Sequence, residues 1–458
     1  MDNKENNISN IFIETKKYFN SNETKSLDFR LAQLKKLYKA IKDKEKEIAE
    51  ALHEDLGKSY QEAYMCEIGL VYQEISYMIK HLKKWSKPKN KFAGLAAFPS
   101  KARVYHEPVG KVLIMSPWNY PFLLTVQPLV GAIGGGNVAI IRPSSQAKAT
   151  AKIIEKITSS TFPKNYVYTF LGSREEADLL LEMPFDLIFF TGSPNIGKMV
   201  MAKASKNLTP VVLELGGKSP CIITKNADLD IVAKRLVFGK TINAGQTCVA
   251  PDYVLIDESL KDEFIKKMKK QISLQFPNGM IESNEYPKII SSSKKERLVK
   301  LIEQEKVILG GKSNDSKIEL TLTDSTFDSE VMKDEIFGPI LPIITYKSLE
   351  KTVQYLKTLA TPLALYLYSF NKKEIEYVMS NLSFGGGAIN DCLMHLSSHA
   401  LCFGGKGNSG MGQYHGKYSF DTFTHKKGVL ISSKGDMKVR YHPYSCLLYT
   451  SPSPRDRG

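Results

Sequence analysis

Hydrophobic spacing along the chain changes character near residue 100. Before it, Leu27, Leu31, Leu34, Leu37, Ile41, Ile48 and Leu52 follow the spacing of an amphipathic helix. The pattern predicts one long helix over 26–57, stopped by Gly57, and a second over 61–85, closed by Lys87-Pro88. A connector marked by proline and lysine runs on to Ser100. Short apolar runs then take over, and 109–115, 137–141, 167–171, 186–190, 211–215 and 221–224 read as strands. Helical patterns at 147–159 and 175–182 separate some of them. The second half repeats the theme, with strands at 253–256, 306–309, 340–346, 364–369 and 387–390 and helices at 258–271 and 294–304. Such alternation predicts an α/β fold built on mostly parallel sheet.

Composition narrows the class. The 458 residues are 42% apolar and 24% charged, which excludes wholesale disorder and predicts two or three domains. Basic side chains outnumber acidic ones 63 to 48, a net charge of +15. They are spread, and runs such as Lys42-Asp43-Lys44-Glu45-Lys46-Glu47 read as a solvated helix face, so no nucleic-acid partner is expected. Cys66, Cys221, Cys248, Cys392, Cys402 and Cys446 form no Cys-x-x-Cys pair, against zinc and disulfide frameworks and for a reducing compartment. The polar start, Met1-Asp2-Asn3-Lys4, is no secretory signal. The uncharged stretch 119–141 holds Gln127, Pro128, Gly131 and Asn137 and is expected as buried loop and strand, not a membrane span. A soluble, cytoplasmic protein follows. Residues 446–458 match no element pattern and read as a disordered tail or as sequence foreign to the fold.

Three glycine-rich strings invite motif readings. Gly134-Gly135-Gly136-Asn137-Val138-Ala139 precedes a strand, whereas the dinucleotide fingerprint follows one. Gly216-Gly217-Lys218-Ser219 lacks the leading glycine of a Walker motif, because Val212 stands there. The third follows the strand 186–190: Gly192-Ser193-Pro194-Asn195-Ile196-Gly197-Lys198-Met199 turns into a helix at 200–205. It reads as a pyrophosphate cradle or as a tight βα turn, and Met199 in place of Ser/Thr argues against nucleotide hydrolysis.

Chemistry concentrates around one thiol. Cys248 ends Asn243-Ala244-Gly245-Gln246-Thr247-Cys248, small and polar company for a residue usually buried among apolar ones. It is reactive or merely structural. Glu214 lies inside the apolar run Val211-Val212-Leu213-Glu214-Leu215-Gly216 and needs either a salt-bridge partner or a role as a base raised by desolvation. Asn119, between Pro117 and Pro121, is a rigid oxyanion donor or a turn cap.

With these residues in view, the chain resembles the aldehyde dehydrogenases, most closely their class 3 (fatty- and aromatic-aldehyde) branch. The resemblance rests on 117–122, 190–193, 213–220, 243–248, Glu335-Ile336-Phe337-Gly338-Pro339 and Phe403-Gly404-Gly405, in collinear order over about 25–444. The class 3 character comes from Ala250-Pro251-Asp252-Tyr253, Pro362-Leu363-Ala364-Leu365-Tyr366 and Tyr414-His415-Gly416-Lys417. It implies a Rossmann-type NAD(P)-binding domain over 1–84 and 103–212 and a catalytic α/β domain over 213–400. A bridging, oligomerisation element over 85–102 and 401–445 would make a homodimer. It implies Cys248 as nucleophile, Glu214 as general base, and Asn119 with the Cys248 N–H as oxyanion donors. Glu335 and Phe337 would hold the nicotinamide ribose and ring. Gly192, Ser193 and Gly197 would face the pyrophosphate, with Leu215 and Gly216 beside the cofactor. The implied substrate is a small-molecule aldehyde, medium- to long-chain aliphatic or aromatic, oxidised to the acid, and some lowering of the Cys248 pKa is expected.

This sequence departs from the family where Arg142-Pro143-Ser144-Ser145 replaces Lys-Pro-Ser-Glu. A cation at Arg142 and a lost carboxylate at Ser145 favour NADP as well as NAD. Cys402 replaces a proline and reads as a turn filler or a redox-sensitive thiol. His415 reads as structural. Tyr120 and Tyr64 either line the aldehyde pocket or pack in the core, and Lys218 neutralises a carboxylate or caps a turn. A cysteine hydrolase using Cys248, Asn119 and Glu214, and a P-loop nucleotide binder, are the rival readings. No hydrophobic C-terminal anchor is expected, because Leu447-Leu448-Tyr449 is too short.

Overall fold

A computed structural model describes residues 2–435 and 440–443. The stretch 446–458 lies outside the described residues. Among those described, three sheets organise the chain.

The first has the order Gly410–Met411, Val211–Glu214, Leu187–Thr191, Lys111–Met115, Val138–Arg142, Val167–Thr169, parallel except for the edge pair from Gly410–Met411. Strand alternation explains its burial on both faces. Val112, Ile114, Ala139, Ile141, Phe189 and Val212 enter the main core, while Leu113, Met115, Ile140, Ile188, Phe190 and Leu213 enter a second core. That second core is closed by Ile8 and Phe12 of the N-terminal helix Asp2–Asn20. Strand order reverses between Lys111–Met115 and Leu187–Thr191, so the loops after Met115 and Thr191 diverge from a shared crevice at the carboxyl edge.

The second sheet runs Lys306–Leu309, Thr321–Asp324, Ile340–Tyr346, Tyr253–Asp257, Pro220–Ile223, Ala364–Tyr368, Gly386–Ile389, parallel apart from its first strand. The third is antiparallel and small: Lys89–Lys91, Lys101–Pro108 and Thr424–Ile431. The strand Lys101–Pro108 straddles the division expected between 102 and 103, and Gly410–Met411 ties the C-terminal stretch to the first sheet.

Three expectations need correction. The helix over 26–57 is two helices, Leu27–Asp43 and Glu45–Leu56, broken where Lys44 leaves helical geometry at φ −118°, ψ 14°. Gly57 does end the second, at φ 67°. The stretch 119–141 contains a helix, Leu123–Gly135, rather than only loop and strand. It is buried on all sides, so its periodicity is invisible. Its glycines mark close packing instead of a loop, since a Cβ at Gly131 would lie 2.6 Å from Phe423 and one at Gly134 2.7 Å from Met78. Third, the helix after Thr191 starts at Pro194, not at 200, so Gly197 and Lys198 are helical. No long loop remains there to wrap a phosphate, which removes the P-loop alternative.

Candidate active site

Four parallel strands of the first sheet deliver their loops to one edge. Asn119 follows Met115, Ser145 follows Arg142, Gly192 and Ser193 follow Thr191, and Leu215 and Gly216 follow Glu214. Ser193 is the N-cap of the helix Pro194–Ser205, with Pro194 in the first turn and no side-chain capping bond, so its hydroxyl stays available beside the first-turn N–H groups.

Glu214 is pinned by its backbone. It pairs with Gly410 and its carbonyl accepts from Gly192 N–H at 3.0 Å. Its side chain is 2% exposed and neither carboxylate oxygen has a partner. Burial alone pushes this carboxyl well above the usual range. The salt-bridge alternative is therefore absent for Glu214.

Cys248 arrives by a strained route. After the helix Leu229–Thr241, Asn243 and Ala244 both adopt φ 50° and Gly245 φ 69°. Left-handed backbone at two non-glycine residues survives only where the surroundings over-determine it. Here the Asn243 amide donates to the carbonyls of Asn119 (2.8 Å) and Gln246 (3.0 Å), and Gln246 Nε2 donates to those of Asn243 and Lys288, each at 3.0 Å. Gly245 is obligatory, since a Cβ would lie 2.5 Å from the Gly338 carbonyl. Asn119 donates from Nδ2 to Gln246 O at 3.1 Å, while its Oδ1 is buried without a partner. Tyr120 bonds Thr247 through the two hydroxyls at 2.6 Å.

The expected lowering of the Cys248 pKa does not hold in this state. Burial, then the charges of Glu335 and Glu214, push the thiol up to about 12. Cys248 and Glu214 share one cavity of about 310 Å³, whose wall is otherwise mainly apolar, with Met65, Leu124, Phe238 and Met394 among its residues. Tyr120 lines this cavity; Tyr64 does not, being exposed and stacked on Tyr60. Asn119 also stays outside its wall; its side-chain amide bonds Gln246 O, two residues before Cys248. His415 lines it as well, stacked on Phe403, with its ring pushed down to about 4 by burial.

A larger cleft of about 620 Å³ lies on the other side of Leu215, which lines both. Pro194, Lys198, Gly216, Gly217 and Glu335 face it. A Cβ at Gly216 would collide with Glu335 Oε2, so this glycine lets the carboxylate approach the strand end. Burial, then Asp252, push Glu335 up to about 8, opposed by a bond from Gly217 N–H. Phe337 sits at φ 51° with its ring edge-on to Trp118 at 5.4 Å. Asp252 accepts from Ile336 N–H at 3.0 Å and from Lys218 Nζ at 2.5 Å, and Lys218 also donates to the carbonyls of Val331 and Asp334. Lys218 thus neutralises a carboxylate and anchors the Glu335 loop. Arg142 and Ser145 lie at the same sheet edge but outside this cleft; Arg142 Nε is buried without a partner and Ser145 is exposed.

Sequence reasoning missed several residues here. Lys58, from the link between two N-terminal helices, and Glu62 and Glu67, from the helical stretch after it, are buried against the Asn119 and Asn243 loops. Lys240 is fully buried with Nζ unpartnered, and burial pulls it down to about 8. Asn243 and Gln246 were legible only as neighbours of Cys248. Among the described residues, no group of His, Cys, Asp or Glu side chains is placed to hold a metal ion.

A thiol and an unpartnered carboxylate on one apolar cavity, beside a cleft wide enough for a second molecule, define an α/β enzyme suited to covalent thiol chemistry. Comparison with known proteins makes this specific. The profile of the Aldehyde dehydrogenase family matches residues 2–429, and the chain belongs to that family. It is 47% identical to the 4,4'-diaponeurosporen-aldehyde dehydrogenase of Staphylococcus aureus, over 95% of this chain and 96% of that protein. It is 40% identical to the dimeric NADP-preferring aldehyde dehydrogenase of Canis lupus familiaris, over 95% and 98%. Among solved structures, the substrate-bound state of Staphylococcus aureus AldH superposes with a TM-score of 0.94 at 46% identity, covering 95% of this chain and 97% of that one. The chain is an aldehyde dehydrogenase of the class 3 branch.

Proposed function

We propose that Cys248, Glu214 and Asn119 carry the oxidation of an aldehyde to its carboxylic acid with NAD or NADP. The observation supporting this most directly is the mainly apolar cavity shared by Cys248 and Glu214, with Leu215 lining both that cavity and the cleft that holds Glu335.

The residues fit a nicotinamide dinucleotide: an uncapped Ser193 at a helix N-terminus, a glycine at 216 that admits Glu335, and a partly open Phe337. Arg142 would meet a 2′-phosphate. When bound, the nicotinamide supplies the hydride acceptor. Cys248 Sγ, as thiolate, forms a C–S bond to the aldehyde carbon, and the resulting alkoxide is held by the Asn119 amide and the Cys248 N–H. Loss of the C–H hydride gives a thioester on Cys248. Glu214 takes a proton from water, the hydroxide adds, the C–S bond breaks, and the acid leaves with the thiolate restored.

The mainly apolar cavity wall suits a medium- to long-chain aliphatic or an aromatic aldehyde, and the relative named for diaponeurosporen-aldehyde supports an extended apolar substrate. The three sheets support a division into cofactor, catalytic and bridging parts, with the strands Lys101–Pro108 and Val211–Glu214 crossing its expected boundaries. The small sheet and its connector expose Phe92, Leu95, Phe98, Leu430 and Ile431, which suits a homodimer interface. A cytoplasmic location accords with the reduced thiols and with the absence, among the described residues, of a helix able to cross a membrane. Absorbance of NAD(P)H formed from an aliphatic aldehyde tests the reading: no reduced cofactor from aliphatic or aromatic aldehydes would sink it.

Two variants probe the cofactor side. Arg142→Ala is expected to weaken NADP⁺ by roughly tenfold more than NAD⁺, the worth of a charged hydrogen bond; equal changes in the two KM values would remove Arg142 from cofactor choice. Gly216→Ala is expected to displace Glu335 and raise the dissociation constant of NAD(P)⁺ at least about tenfold. Titration of protein fluorescence checks this, and an unchanged constant would show that the contact has no bearing on the cofactor.

A further inference from the structure

Beneath the cysteine loop lies a polar cluster that the chemistry above does not use. Lys58 and Glu67 are both fully buried and paired at 2.5 Å. The remaining reach of the ammonium goes to Asn119 O at 3.1 Å and to the face of Tyr120, 4.1 Å from the ring centre. The other carboxylate oxygen of Glu67 accepts from the N–H groups of Phe122 (2.9 Å) and Leu123 (3.0 Å), at the start of the helix Leu123–Gly135. Beyond each other, the side-chain hydrogen bonds and cation–π contact of the pair end on residues 119, 120, 122 and 123. Glu67 reaches them from a π turn, Tyr64–Ile68, a wide turn that recurs at functional sites. Glu62, on the preceding turn, accepts from Asn243 N–H at 2.7 Å, and Asn243 donates to the same Asn119 carbonyl at 2.8 Å.

Stability does not account for this arrangement, because a buried ion pair can commonly be exchanged for apolar residues at little cost. Geometry does. The Asn119 carbonyl is clamped by Lys58 and Asn243, and its side-chain amide is tied to the Gln246 carbonyl in the cysteine loop. We propose that Lys58 and Glu67 are positioning residues that fix the Asn119 amide relative to Cys248, so that the oxyanion donor is in place before the aldehyde arrives. The proposal rests on the assignment of Asn119 and Cys248 made above. Donors fixed in advance stabilise a developing alkoxide far better than donors that must reorient.

The test is the double variant Lys58→Met/Glu67→Leu, which removes both charges together. Its kcat for an aliphatic aldehyde is expected to fall by about 100-fold, the effect of a misplaced oxyanion donor. Alkylation of Cys248 by iodoacetamide, which forms no oxyanion, is expected to stay within about threefold of the parent rate, as is NADP⁺ affinity. A kcat within threefold of the parent overturns the proposal. So does a parallel fall in kcat and alkylation, which would mark the pair as a support for the whole site. If the double variant does not fold, Lys58→Arg decides: it keeps the charge but not the single ammonium shared by three partners. A tenfold or larger loss in kcat with unchanged alkylation is then expected, and an unchanged kcat overturns the proposal. Cys248→Ala run alongside separates the cases, since full activity there would remove the underlying assignment rather than the positioning role.

Discussion

Replacing Cys248 with alanine is expected to abolish NAD(P)H formation from any aldehyde, with kcat down by about 10⁴-fold or more, while cofactor affinity stays intact. The size of the effect follows from the route: without sulfur there is no thiohemiacetal from which hydride can leave, and the remaining groups can only bind. Activity within tenfold of the parent would exclude Cys248 as nucleophile. The same thiol has a second signature. Burial and the nearby carboxylates Glu335 and Glu214 push it up to about 12, so only about one molecule in 10⁵ carries the thiolate at pH 7. For an acid whose charged form is disfavoured, reactivity grows as pH rises toward the displaced pKa. Alkylation of the cofactor-free enzyme is therefore expected to climb steadily from pH 6 to pH 10 without levelling. A plateau with a midpoint below pH 8 would contradict the assigned environment.

What could be read in advance, and what could not, divides along physical lines. Strands such as Lys306–Leu309 and Ile340–Tyr346 were legible because a short apolar run between turn residues has few other uses. The helix Leu123–Gly135 was hidden by its own burial, and its glycines, which admit Phe423 and Met78, imitate loop residues. The small sheet was missed because Lys101–Pro108 and Thr424–Ile431 bury no clean alternating face. Cys248 and Glu214 stood out because each contradicts its local sequence, a thiol among polar residues and a carboxylate in an apolar run. Lys58 and Glu67 contradict nothing locally. A lysine in the short link after Gly57 and a glutamate in a helical stretch look solvated, and only the fold brings them under Asn119. The Cys248 pKa was misjudged for the same reason: the fold supplies two carboxylates and no pairing cation to the thiol.

Glu214→Gln is expected to separate the two halves of the reaction. The amide keeps the shape of the side chain but cannot take a proton from water, so the thioester should form and then persist. Rapid mixing should show a burst of NAD(P)H approaching one equivalent per active site, followed by a steady rate lower by about 10²–10⁴-fold, the usual worth of a general base. Two features of the structure set this expectation. No partner holds either carboxylate oxygen, and the group is 2% exposed, so its proton affinity is raised by desolvation without an opposing charge. A carboxyl held up in this way is protonated, and useless as a base, at low pH, and gains the ability to accept a proton as pH rises. The parent enzyme should therefore lose kcat as pH falls through the displaced Glu214 pKa. The glutamine variant should lack that dependence while retaining its burst. A variant with no burst, or with kcat within threefold of the parent, would move the base elsewhere, and Glu335, half-buried on the far side of Leu215 and itself pushed up to about 8, would be the next carboxylate to test.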